Sequence, residues 1–149
     1  MKLKMYLAQI KQGQYEASIP WVAQLAQPIR GPSPAQLKEE LMFRALELLH
    51  EGLAPRDMDR LIPPESLQVV SVYVEVERRL EASRTPSTIS TVTHVIIGRW
   101  ENDSIDHLWM PRMPGVCLAL RSAEEVYAAT SKWVAHWAER NLVEDLTML

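Results

Sequence analysis

The residues able to do acid–base or metal chemistry are few, and their spacing favours neither. The histidines are His50, His94, His107 and His136. No two stand at i, i+4 on a helical stretch and no cysteine pair accompanies them, so no metal-ligand pattern emerges. Asp103, Asp106 and His107 crowd one polar turn and form the single hydrolase candidate, because a carboxylate beside an imidazole is the minimum for general-base chemistry. Turns also gather these residue types for their backbone hydrogen bonds alone. His136 and Glu139 share a helix face at i, i+3, a common solvated pair. Cys117 lies in an apolar run without a neighbouring base and reads as a packed, unreactive thiol. No catalytic constellation stands out. The expectation is a binding module rather than an enzyme, with no metal and no cofactor.

Composition narrows the class. The chain has 149 residues, 16 Lys+Arg against 19 Asp+Glu, and 47% hydrophobic residues. That length suits one domain hiding roughly 70% of its surface on folding, enough for a core without disulfide staples. A net charge of -3 argues against a nucleic-acid coat. Arg78, Arg79 and Arg84 are interleaved with Glu75, Glu77 and Glu81, which reads as a solvated loop. The lone cysteine fits a reducing compartment. Lys2 and Lys4 are not followed by the apolar h-region of a signal peptide, and no window resembles a transmembrane helix. These features predict a cytoplasmic protein without a membrane partner. Asn102-Asp103-Ser104 matches a glycosylation sequon but reads as a polar turn.

Several elements must position whatever site exists. Leu3, Met5 and Leu7 alternate with Lys2 and Lys4, and Tyr15, Ala17, Ile19 and Trp21 alternate with Glu16 and Ser18. With the turn at residues 11–14 this predicts a β-hairpin stopped by Pro20. Residues 22–32 read as a loop. Ser33-Pro34-Ala35-Gln36 opens a helix and Gly52 closes it. A short helical turn is expected around residues 57–61. Val70, Val72, Val74 and Val76 oppose Ser71, Tyr73, Glu75 and Glu77, which sets a strand register over residues 67–77. Residues 88–100 carry β-branched side chains on both faces, as a central strand does. Short strands follow at 105–110 and 116–120. Ser122 to Glu125 then starts a second helix, with Val126, Thr130, Trp133, Val134 and Trp137 on one face.

The order strand, turn, strand, proline, cap and helix occurs twice, over residues 3–51 and 89–141. Two ββα units plus the extra strand at 67–77 predict an α+β fold, with one mainly antiparallel sheet and two helices on one face. Residues 1–141 would form a single interaction domain, with 142–149 a linker or the start of a following domain.

Trp109-Met110-Pro111-Arg112-Met113-Pro114-Gly115, followed by Ser122-Ala123-Glu124-Glu125 and an amphipathic helix, resembles the HicB-type antitoxin domain over roughly residues 88–140. The whole arrangement is also similar to the N-terminal domain of bacterial Clp-type AAA+ ATPases from conflict or stress systems. The second resemblance implies an adaptor that recruits a partner protein or peptide client to an AAA+ motor lying beyond residue 149. The first implies an antitoxin that inhibits a small ribonuclease toxin. Two departures stand out: no DNA-binding segment follows the HicB-like part, and no Gly-x-x-x-x-Gly-Lys phosphate loop is present. Trp109, Met110, Arg112 and Met113, held out of regular pairing by prolines, are of the types enriched at interfaces and form the predicted partner-binding patch. Trp133 and Trp137 are expected to pack the second helix on the sheet.

Overall fold

Gly13, at φ 73°, allows the chain its first reversal. It joins β1 (Tyr6–Lys11) to β2 (Gln14–Ser18), which pair antiparallel from Tyr6↔Ser18 to Lys11↔Gln14 with a bulge between Gln9 and Lys11. The computed structural model describes residues 3–52, 62–78, 87–101, 103–122 and 125–140. The expected helical turn at 57–61, Arg79, Arg84 and the segment 142–149 lie outside them.

The stretch expected as loop holds a 3-10 turn, Ala23–Leu25, and a short strand β3 (Ile29–Gly31) that pairs antiparallel with β2. Helix α1 (Pro34–Glu51) begins as predicted: Ser33 Oγ accepts from the Gln36 N–H at 3.4 Å, and Gly52 ends the helix at φ 78°. Leu37, Leu41 and Ala45 are its buried stripe. β4 (Ser66–Arg78) and β5 (Ser87–Arg99) pair along their whole lengths. β6 (Asp106–Trp109) and β7 (Cys117–Leu120) complete the order β4-β5-β6-β7, which makes β5 the central strand its two-sided β-branching predicted. Helix α2 (Glu125–Arg140) follows; the Glu125 carboxylate accepts from the Arg121 N–H at 3.2 Å.

The fold is α+β and mainly antiparallel. Its strands, however, make two sheets, of three and four strands, rather than the single sheet expected, and each helix covers its own sheet. Alternation explains why. Along β2, Ala17 shares a face with Ile29 and Gly31, and Gly31 lies under Leu37 of α1. Glu16 and Ser18 point the other way, and so does Tyr6, whose hydroxyl reaches His94 of β5. In the second sheet Val72, Val74, Val95 and Leu108 pack with Val126 and Val134 of α2. Ile96 and Trp109, on the opposite face, join the core of the first sheet. The layers therefore run α1, first sheet, second sheet, α2. Merging the sheets edge to edge would have left Ile96 and Trp109 bare, whereas stacking buries them.

The same double coverage corrects the expected face of β1. Tyr6 is buried at 8% exposure and Leu7 is 37% exposed, because the phenol fills the gap between the sheets. Among the described residues no helix is long and apolar enough to cross a membrane.

Gly98 marks where space is tightest. A Cβ there would meet Leu67 Cδ2 at 2.8 Å, the Ser66 carbonyl oxygen at 3.0 Å and Trp109 Cζ3 at 3.0 Å. Gly98→Ala should cost about 1–3 kcal/mol through overpacking. The expected readout is a lower urea midpoint at unchanged slope. A wild-type midpoint would show that the Leu67 and Trp109 side chains are not pressed together there.

Candidate functional site

Glu16 is a carboxylate with 1% exposure on β2, and burial of that kind needs a counter-charge. Two arginines supply it. Antiparallel pairing places Arg30 of β3 directly across from Glu16, with its Nε 3.5 Å from Oε2. Arg112 arrives from the turn between β6 and β7, which is closed by the Met113 N–H on the Met110 carbonyl and the Val116 N–H on the Met113 carbonyl. Its Nε donates to Glu16 Oε1 at 2.9 Å. Oε2 receives no hydrogen bond. The three charged groups, with Gln27, Pro28, Pro114 and Trp137, line a cleft of about 190 Å³ where the first sheet, the 112 turn and α2 meet. Nearby, burial pushes the Tyr6 phenol above its ordinary value, Arg112 opposing and Glu16 adding to the effect.

Of the four residues predicted as a contact patch, Arg112 alone keeps a partly exposed side chain, at 25%. Trp109 (1%), Met110 (2%) and Met113 (7%) are buried. Pairing of β6 sets Trp109 beside Ile96 and Cys117. There its ring meets Trp21 edge-on at 6.0 Å and Trp100 at 5.5 Å. The prolines release this stretch from the ladder only to turn its apolar side chains inward. Trp133 and Trp137 pack partly buried against the α2 core, as expected.

The hydrolase candidate splits into two separate pairs. His107 Nε2 lies 2.7 Å from Asp103 Oδ2, while Asp106 is engaged by Arg99 Nε at 2.8 Å. Asp103 Oδ1 also accepts from the Ile105 N–H at 3.1 Å. The His107 ring stacks on Trp109 and meets Trp100 edge-on. The His107 contact and the Ile105 N–H hold the Asp103 carboxyl below its usual range, and the Arg99 hydrogen bond does the same for Asp106. These bonds close a turn. Among the described residues no group of three or more metal-ligating side chains gathers. His94 is tied at Nδ1 to the Tyr6 hydroxyl at 3.1 Å. Cys117 is exposed rather than packed, since β7 is an edge strand.

Sequence reasoning assigned Glu16 to a solvated face and passed over Arg30. The available signal was Arg112 itself: an arginine inside a proline-bounded apolar stretch requires a buried carboxylate somewhere.

A second feature is a two-stranded arm. Only Ile96, Ile97 and Gly98 of β5 pair with β6, so the rest of the β4–β5 hairpin runs on beyond the other strands. One face of the arm lies under α2. The other exposes Val69, Tyr73 and Val92 by 54–56%. No protein-family model, curated protein or solved structure matches the chain.

Trp109→Ala should lower stability by about 3–5 kcal/mol, the cost of emptying a buried aromatic site. Thermal melting tests this, since an exposed contact residue would leave Tm within a few degrees. Because the fold lowers both carboxyls from 3.8, their hydrogen bonds to His107 and Arg99 support it above that pH, and the support fades as pH falls through the folded values. Carboxyl-carbon NMR should find both midpoints under 3.8. Arg99→Gln should return Asp106 alone toward that value.

Proposed function

We propose that the chain is a non-catalytic protein-interaction domain that takes an extended segment of a partner protein along the free edge of β4. The observation that supports this is the edge itself. β4 is 13 residues long and ends the order β4-β5-β6-β7. Proteins blunt such edges with lysine, proline or short length. β4, reading SLQVVSVYVEVER, has neither residue type, and its charges gather at one end. The other edge strands among the described residues are short: β7 has 4 residues, β3 has 3 and β1 has 6. Main-chain bonds to β4 would hold the segment, and alternate side chains packing beside Val69 and Tyr73 would select its sequence. On the resemblance to Clp-type N-terminal domains, that segment belongs to a client and the edge is its recruiting surface.

Peptides selected from a random display library on the immobilised chain should be extended, with alternating apolar residues. They should shift the β4 amide resonances. Val69→Lys with Tyr73→Lys, at positions more than half exposed, should keep the melting temperature yet weaken capture by about tenfold or more. Peptides that bind without disturbing β4, or self-association of the chain through β4 in place of peptide capture, would overturn the proposal.

A further inference from the structure

We propose that Arg30 and Arg112, braced by Glu16, form a receptor for a small carboxylate in the cleft between the first sheet, the 112 turn and α2. The site is separate from the β4 edge and does not depend on its role. Glu16 engages both guanidinium groups through Nε. Each guanidinium carries five N–H donors in a planar fork, four of them on the terminal nitrogens, beyond the Nε that meets Glu16. Carboxylates and phosphates both match that fork, so geometry admits either and the balance of charge chooses between them.

Charge selects among anions. Two arginines and one glutamate leave one net positive charge, which a monocarboxylate neutralises. A phosphate dianion would leave the cleft negative. The space, about 190 Å³ or roughly six waters at ~30 Å³ each, limits the ligand to a small anion. The wall from Trp137 and Pro28 suits a short apolar tail behind the acid group. Arg30 provides the adjustable half of the site. It is 44% exposed and 3.5 Å from Glu16 Oε2, which accepts no hydrogen bond, so turning its fork toward a ligand breaks none there.

The test is an NMR titration of the whole chain, following the Nε–H signals of Arg30 and Arg112 and the Trp137 indole N–H. Sodium propionate probes a free acid, and an acetylated tri-alanine peptide with a free C-terminus probes a chain-borne one. Saturable shifts at all three reporters with either probe are expected, and the lower saturating concentration identifies the source. Inorganic phosphate should bind more weakly. Arg30→Gln should weaken binding by about tenfold in a chain whose amide spectrum is still that of the folded protein, and Arg30→Lys should restore part of it; Arg112, bonded to Glu16 at 2.9 Å, is left in place. Absence of saturation with both probes, tighter binding of phosphate, or undiminished binding by Arg30→Gln would overturn the assignment.

Discussion

β6 has to serve two cores at once. Leu108 points into the core beneath α2, and Trp109, one residue on, points into the core shared with the first sheet. Four residues of strand thus connect both halves of the molecule, and their register against β5 cannot move. A shift of one residue would drive the indole toward α2 and leave the first sheet without its central side chain. The surrounding features follow from this constraint. Gly98 leaves room for the ring edge, and Trp21 and Trp100 meet it edge-on, as aromatic quadrupoles prefer. The chain leaving Trp109 then turns at once and delivers Arg112 to Glu16.

Apolar contact and charge play different parts at this junction. Stacked sheets can slide over one another with little loss of buried area, whereas a buried carboxylate accepts only a narrow set of positions. Ion pairs of this kind often contribute little net stability compared with apolar replacements, and their better-attested use is to fix one arrangement. Glu16 does so twice, across the ladder to Arg30 and across the sheets to Arg112. Tyr6 and His94 add a hydrogen bond between the same layers. Farther along the arm, among the described residues, the bare face carries the Tyr73–Glu75 hydrogen bond within β4 and exposes Tyr73 and Val92.

How much was legible depended on how local the cause was. Ser33, Pro34 and Gly52 act within a few residues, and α1 begins and ends where they direct. The valine alternation of β4 needed only its own period. The failures share one origin. Period two tells which residues share a face but not how many faces are covered. Glu16 and Ser18 were set opposite the apolar face on the assumption that one face is covered, yet both are buried, as is Tyr6. The same assumption turned Trp109, Met110 and Met113 into surface, since their prolines announced an irregular stretch without showing its direction. β3, with 3 residues, is too short to show any period. The cleft was invisible because its charges lie 14 and 82 positions apart along the chain, Glu16 to Arg30 and Arg30 to Arg112.

The Glu16–Arg112 bond also limits the evolution of this architecture. Each hairpin-and-helix half looks like an exchangeable cassette, since each has its own helix and its own sheet. Recombination that replaced either half with a foreign one would import an interior anion without its cation, or strand the cation against a neutral wall. A change of charge at Glu16 or Arg112 in one half would therefore need a matching change in the other.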